Sequence, residues 1–275
     1  MRPTWIVMLL VLPLLAVGCA TNPATGERMV RIISTEQEIA IGEEAAPQFE
    51  AEFGGLVNDP TLQAYLNDVG QRVAAQSERQ EIEYRYGLLN SDVPNAFALP
   101  GGRVYITRGL FEQLQNESQL AAVLGHETGH EAALHSVQAL QRQLGYEVLV
   151  AIAAAAVGAQ AGTAVETAGK VVTGMKELSY SRQAEYEADT LGIRYSGKSG
   201  YNPWGMVGLL NVLYEMSQSG GGEGGRVAEM FQTHPLTSKR IEEAGDTVRK
   251  QYPQAAREQL EPAAERLATM QRRLK

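Results

Sequence analysis

Cysteine is almost absent from this 275-residue chain, which contains a single one, Cys19. A disulfide within the chain is therefore excluded, and the core alone must hold the fold together. Positive charge is also scarce: 24 lysines and arginines face 32 acidic residues, the net charge is −8, and no basic stripe is present. This balance argues against a nucleic-acid-binding protein. The 44% of apolar residues can form a proper core in one domain with attached helices.

The N-terminal apolar run is short. Residues 5–17 are uncharged and follow Arg2, but thirteen residues are too few to span a bilayer comfortably. The run leads through small residues into Cys19, which resembles a bacterial lipoprotein signal that is cleaved before a lipid-modified cysteine. A plain secretory signal with an incidental cysteine is the alternative. By the same resemblance, Ala20 suggests sorting to the outer membrane.

The sequence divides into four parts. We predict a lipoprotein signal peptide over 1–18 and a polar, turn-rich, lipid-anchored tether over 19–33. A folded domain follows over 34–252, and a C-terminal helix over 253–275.

Local signals inside the domain predict many helices and few strands. Helix starts are expected at Ser34 or Thr35, at Asp59-Pro60 and at Asn116, where a cap-forming side chain precedes a helical pattern. Alternation predicts strands over residues 81–90, 95–99 and 103–107, the last two joined as a hairpin through Pro100-Gly101-Gly102. The expected fold class is α+β, mostly α.

Two further stretches carry weaker signals. Residues 148–165 contain no charge, yet they are mostly alanine and glycine. A buried or surface-docked helix and a membrane contact therefore both stay open. The glycine-rich run over 217–226 predicts a loop.

Histidine is scarce too, and three of the four histidines lie in GHETGHEAALH, residues 125–135. His126 and His130 are four residues apart. On an α-helix their rings lie one turn apart on one face, where both can bind one metal ion. The H-E-x-x-H pattern is typical of two zinc ligands with Glu127 as the general base. A chance polar face would give the same letters, but the surrounding helix is apolar.

A catalytic zinc needs a third protein ligand. His135 lies nine residues after His126, half a turn round a continuous helix, so we predict that it faces away from the metal. The extended metzincin motif is excluded as well, because Ala133 and Ser136 stand where it has glycine and histidine.

Two acidic residues farther along offer the missing ligand. Glu185 and Asp189 are four apart in a helical segment. A carboxylate can complete the ligand set, and a second one can hold the free nitrogen of a ligand histidine. Acidic pairs with this spacing are also common on helix surfaces, so the pattern alone leaves both interpretations open. Glu187 points elsewhere and is predicted to be solvated.

Four motifs occur in a specific order, namely PNAFALPGGRVYITRGLF, LAAVLGHETGH, SRQAEYEAD and THPLTSKR. Together they resemble the zinc metallopeptidases related to the CAAX prenyl protease and the heat-shock protease HtpX, most closely a soluble periplasmic lipoprotein branch. The resemblance covers about residues 36–245. It implies a gluzincin-like fold, with an active-site helix, a small sheet beside it and the third ligand on a later helix. Residues 34–252 would then be the metallopeptidase domain, with one Zn²⁺ per chain.

The resemblance also assigns roles to residues. It implies that His126, His130 and Glu185 bind zinc, that Glu127 is the catalytic glutamate, and that Asp189 holds a ligand histidine.

The fourth histidine acquires a role only through this resemblance. His234, in a His-Pro pair on a loop over the site, would be either a self-inhibiting fourth ligand or a catalytic group that stabilises the oxyanion. Arg240 would pair with a carboxylate or assist the oxyanion. An extended substrate would add a strand along the sheet edge formed by Asn95, Ala96, Phe97 and Ala98.

The expected function is that of a zinc-dependent metalloendopeptidase of the bacterial cell envelope that hydrolyses misfolded or damaged envelope proteins. We expect it in the periplasm, anchored through Cys19, with polypeptide substrates and a link to outer-membrane assembly machinery as partners, and no nucleic acid. The alternative is an outer-membrane protein assembly factor or chaperone whose peptidase site is gated by His234. A structural zinc protein would need a closed four-ligand site, with cysteine or a rigid fourth histidine.

Overall fold

The computed structural model describes four stretches of the chain, residues 18–143, 179–219, 228–255 and 262–274. Predictions for the signal peptide before residue 18 and for the uncharged stretch at 148–165 lie outside these residues. Within the described stretches, no helix combines the length and the apolarity needed to cross a membrane.

A small hairpin opens the described chain. Strand β1 (Gly18–Thr21) pairs antiparallel with β2 (Arg28–Arg31). The Asn22 side chain donates a 2.8 Å hydrogen bond to the Ala133 carbonyl and so fastens this hairpin to the domain. The segment predicted to be a tether thus contains an ordered hairpin docked on the fold.

Two helices follow, and both begin where the sequence predicts. Helix α1 (Thr35–Glu52) starts at Ser34, whose side chain and backbone form a reciprocal capping box with Gln37. Helix α2 (Pro60–Ala74) starts at Asp59, whose carboxylate accepts from two backbone N–H groups of the first turn.

The central sheet has three strands, β3 (Arg85–Leu89), β4 (Ala96–Leu99) and β5 (Arg103–Thr107). Strand β5 lies in the middle, parallel to β3 and antiparallel to β4. The predicted hairpin around Pro100-Gly101-Gly102 is therefore confirmed. The short helix α3 (Arg108–Phe111) follows β5 directly.

The outer edge of β3 is closed by the backbone of residues 55–57 and by side chains of α2. Gln63 donates to the Leu88 carbonyl and accepts from the Leu88 N–H, both at 2.9 Å, as a neighbouring strand would. One turn further on, Asn67 accepts from the Tyr86 N–H at 3.4 Å. These amides protect this edge against pairing with another chain.

The remaining described elements are helical: α4 (Glu117–Ala132), α5 (Arg182–Lys198), α6 (Gly205–Ser219), α7 (Ala228–Thr233), α8 (Ser238–Gln251) and α9 (Pro262–Gln271), the last followed by a 3₁₀ turn (Arg272–Leu274). Helix α4 lies at the centre, with all of its residues buried. Helix α6 extends into the start of the predicted glycine-rich loop, whose residues 220–226 lie outside the described stretches. The α+β, mostly α fold class is confirmed.

Candidate metal centre

Close packing of α4 on α5 builds the centre. A side chain added at Gly125 would lie 3.1 Å from the Gly192 carbonyl oxygen, and one added at Gly129 would lie 3.1 Å from the Ala188 carbonyl oxygen. The two helices therefore approach closely because α4 carries glycine at both contact points. This approach brings the histidine face of α4 against the acidic face of α5.

Four buried side chains converge between these helices and the chain that follows α7. They are His126, His130, Glu185 and His234. The Nε2 atoms of His126 and His130 are 3.1 Å apart, and His130 Nε2 lies 3.3 Å from Glu185 Oε1. His234 Nδ1 lies 3.4 Å from His126 Nε2 and 3.1 Å from Glu185 Oε1.

These spacings fit one metal ion. Ligand atoms bound tetrahedrally to zinc at about 2.0–2.1 Å lie roughly 3.3–3.4 Å from one another. One donor atom from each of the four side chains can be chosen so that all lie within 4.8 Å of one another. Three imidazole nitrogens and a carboxylate oxygen facing each other in a buried space are also a donor set that a divalent cation satisfies. The predicted Zn²⁺ cofactor is therefore supported by the geometry.

The charge states of His130 and Glu185 suit metal binding. Burial lowers the pKa of His130 well below its usual value, which keeps the ring neutral with a lone pair available. Burial by itself would raise the pKa of Glu185, but His234, His130 and Arg240 outweigh it and hold that pKa well below its usual value. The carboxylate is thus ionised.

A second acidic group holds the other ring nitrogen of His126. Asp189 Oδ1 lies 2.9 Å from His126 Nδ1. Arg240 donates two hydrogen bonds to the Asp189 carboxylate, at 2.7 and 2.8 Å, and its Nη1 lies 2.5 Å from Glu185 Oε2. Of the two expectations for Arg240, the geometry matches the pairing with carboxylates.

Glu127 lies beside the group without joining it. Its side chain is 1% exposed, and its Oε1 is 3.9 Å from His234 Nε2. Among the described residues, its other oxygen has no hydrogen-bond partner. Burial raises the pKa of this carboxyl. A cavity of about 10 Å³ adjoins His126 and Glu127 behind apolar side chains such as Leu213 and Met230. This volume is close to the space of a single water molecule.

The predicted orientation of His135 is wrong. Helix α4 ends at Ala132, and Leu134 has a φ of 58°, so the helix does not continue to His135 as the nine-residue count assumed. The turn swings His135 back toward the site, where its Nδ1 lies 3.0 Å from His130 Nδ1. Glu187 is not freely solvated either, because its Oε2 lies 3.1 Å from His135 Nε2.

Tyr180 is a neighbour of the centre that sequence reasoning missed. Its ring stacks on His130, with centroids 3.9 Å apart, and its backbone N–H donates to the Thr233 carbonyl at 3.1 Å. No motif marks this tyrosine. Its proximity to α5 in sequence is the only signal that places it near the site.

Comparison with known proteins agrees with this geometry. The model of peptidase family M48 matches residues 60–248, a range that contains all four residues of the metal group. This chain belongs to peptidase family M48. The metallopeptidase interpretation of the four motifs is confirmed at this level.

Several named proteins are similar to the chain. The beta-barrel assembly-enhancing protease of Escherichia coli is 31% identical over 249 residues, which cover 88% of this chain and 50% of that protein. The mitochondrial metalloendopeptidase OMA1 of Schizosaccharomyces pombe is 28% identical over 224 residues, covering 80% and 63% of the two chains. Metalloprotease YcaL of Escherichia coli is 27% identical over 260 residues, covering 86% and 96%. The chain thus spans about half the length of the beta-barrel assembly-enhancing protease.

Proposed function

We propose that this M48 chain is a zinc-dependent metalloendopeptidase of the bacterial cell envelope. The observation that carries the proposal is the juxtaposition of two groups. His126, His130 and Glu185 offer a three-ligand set, and next to it Glu127 holds a buried carboxyl. Zinc peptidases need this combination of a metal and an adjacent base.

Each residue of the site has a separate role in peptide hydrolysis. Zinc held by the group would acidify a water molecule and polarise the scissile carbonyl. Glu127 takes the proton of that water and later delivers it to the leaving amine. Asp189 fixes His126 in the orientation needed for binding.

His234 has two roles in this proposal. Its Nδ1 takes part in the four-donor group, so in the resting enzyme it would be a fourth ligand that closes the site. Once displaced, its ring donates a hydrogen bond to the oxyanion and assists catalysis. The small size of the adjoining cavity, about 10 Å³, supports a resting site that is closed to a peptide.

An extended substrate would pair with the outer edge of β4, which no other described strand covers. The Thr107 N–H donates to the Asn95 carbonyl at 2.9 Å, so alternation along the antiparallel pair directs the backbone groups of Ala96 and Ala98 away from β5. Since α2 closes the opposite edge of the sheet, β4 is the edge on which a strand can add. Asn95, Ala96, Phe97 and Ala98 form this proposed substrate edge.

The cellular setting belongs to the same proposal. Lipidation at Cys19 would anchor the enzyme in the periplasm, at the outer membrane, and place it in the lipoprotein branch related to the CAAX prenyl protease and HtpX. Similarity to proteases named for beta-barrel assembly supports an envelope role, with misfolded or damaged envelope proteins as substrates.

The test of catalysis is Glu127→Gln, which keeps the shape of the side chain but removes the base. We expect unchanged zinc content and folding, and casein cleavage lower by at least about 10²–10⁴-fold. Glu112→Gln, at an exposed carboxylate, is the matched control and should cleave normally. Cleavage by Glu127→Gln at the wild-type rate would refute the mechanism.

A second candidate function is assembly or chaperone activity with a gated peptidase, and the names of relatives such as the beta-barrel assembly-enhancing protease favour it. It predicts that Glu127→Gln still rescues an envelope defect in cells that lack the protein. If rescue requires the active enzyme, proteolysis is the function. For the gate, His234→Ala should raise casein cleavage if closure dominates, whereas lower cleavage would favour the oxyanion role.

A further inference from the structure

The second ring nitrogen of His130 is held by another histidine. His130 points Nε2 into the metal group, and its Nδ1 lies 3.0 Å from His135 Nδ1. His135 Nε2 in turn lies 3.1 Å from Glu187 Oε2, and Gln183 donates to the other Glu187 oxygen at 3.2 Å. His130, His135 and Glu187 thus form one line that starts at the metal group.

Metal binding determines where the protons lie along this line. A metal at His130 Nε2 needs the lone pair of that atom, so the His130 proton sits on Nδ1 and is donated to His135. His135 must then accept at Nδ1 and carry its own proton on Nε2. That proton is donated to Glu187. Only this placement of the two protons gives each ring N–H along the line an acceptor.

The backbone turn at Leu134 supports this arrangement, although its conformation is energetically unfavourable. Leu134 is the non-glycine residue with positive φ among the described residues, and a leucine in that conformation costs about 1–2 kcal/mol. Its side chain is 1% exposed, and the Ala133 carbonyl before it accepts from Asn22. The turn that returns His135 to the site is thus held by packing and by the docked hairpin.

We propose that His135 and Glu187 are positioning residues that orient His130 and fix its tautomer for zinc binding. Asp189 does the same for His126 with a buried carboxylate, whereas His130 reaches its carboxylate through an intervening imidazole. The inference rests on the proposed zinc site. Neither residue contacts the ligand atoms of the metal group, so each can affect zinc binding only through His130.

The test compares two replacements at His135 whose side chains have the same number of heavy atoms and the same branching. In His135→Asn, the amide oxygen lies near the position of Nδ1 and still accepts from His130, whereas His135→Leu has the same shape without an acceptor. Zinc affinity is measured by competition with a chromogenic chelator. We expect His135→Leu to weaken binding by about 10–100-fold and His135→Asn to weaken it several-fold less. The melting temperature of each metal-free variant reports any purely structural effect.

Glu187 provides a second test that does not depend on the His135 variants alone. Its side chain is 21% exposed, so Glu187→Ala perturbs the core little and remains informative if the His135 variants fail to fold. We expect weaker zinc binding in Glu187→Ala, and no further loss when this change is added to His135→Leu, because its effect passes through His135. Glu242→Gln, at an exposed carboxylate on α8, is the control that should bind zinc normally.

The outcomes separate the inference from the proposed function. A wild-type chain that binds no zinc refutes the proposed function itself. If the wild type binds zinc and His135→Leu binds it as tightly, or if Asn and Leu weaken binding equally, the positioning role is refuted. An additive loss in the double variant with Glu187→Ala would refute the line of contacts.

Discussion

Replacing Arg79 by methionine removes the cation at the centre of a buried network. The Arg79 side chain is fully buried and donates to both Glu38 oxygens, at 2.7 and 3.0 Å. It also donates to the Glu131 carbonyl at 3.2 Å and to Glu81 at 2.8 Å. Glu38 in turn accepts from the Gly101 N–H at 3.3 Å, at the β4–β5 turn. The network therefore joins α1, the β4–β5 hairpin and the end of α4.

The expected loss follows from the charge that is left behind. Arg79→Met keeps much of the side-chain volume, but Glu38 stays buried with Arg31 as its remaining cationic partner, at 2.7 Å. Breaking a buried pair in this way costs about 3–5 kcal/mol, and we expect the lower end because Arg31 remains. Adding Glu38→Gln removes the stranded charge, so the double variant should recover about 1–3 kcal/mol of the free energy of unfolding.

Urea denaturation followed by circular dichroism measures the free energy of unfolding of the single and the double variant. With a denaturant slope of about 2–3 kcal/mol/M, the loss in Arg79→Met shifts the midpoint by roughly 1 M or more. Arg72→Met is the matched control: its pair with Asp68 is about half exposed, and we expect a change below about 1 kcal/mol. Stability of Arg79→Met within 1 kcal/mol of the wild type, or a double variant less stable than the single one, would refute this reasoning.

Three other changes have defined outcomes. Asp189→Asn removes the charged acceptor of His126 and should weaken zinc binding by about 10–100-fold in chelator competition. Gly42→Ala would place a Cβ 1.9 Å from the Pro100 carbonyl oxygen, so α1 or the hairpin turn must move; we expect a loss of at least about 1–3 kcal/mol in urea denaturation. Gln63→Ala leaves the Leu88 N–H without an acceptor, while the Val57 N–H still donates to the Leu88 carbonyl at 2.8 Å. We expect a loss of about 1–3 kcal/mol in urea denaturation.

Local features were predictable because their causes are local. Ser34 and Asp59 cap the first two helices as expected, since a side-chain acceptor can satisfy only nearby N–H groups. At Asn116 the cap is formed, but the Gln119 side chain accepts from Gln115 instead of completing a capping box. The hairpin was predictable for a similar reason, because its turn residues adjoin its strands.

Features that depend on distant packing were not predictable. The parallel pairing of β3 with β5 joins strands with another strand between them in sequence, and no residue in either strand specifies it. The turn at Leu134 was equally unpredictable from the sequence, because leucine rarely adopts a positive φ and only the surrounding contacts impose this conformation. The predicted orientation of His135 was wrong for this reason, because it was calculated for an α-helix that continues without interruption from His126.

The contacts around His234 determine how the proposed closed site would open. The backbone on both sides of this residue is held: its own N–H donates to the Met230 carbonyl at 2.8 Å, Thr233 accepts from Tyr180 at 3.1 Å, and Pro235 accepts from Arg240 at 3.2 Å. Moving the whole loop would break three hydrogen bonds, including the one that Arg240 donates to the Pro235 carbonyl. Rotating the His234 ring breaks none of these. The lower-cost route to an open ligand position is therefore a side-chain rotation, with the backbone around residues 233–235 staying in place.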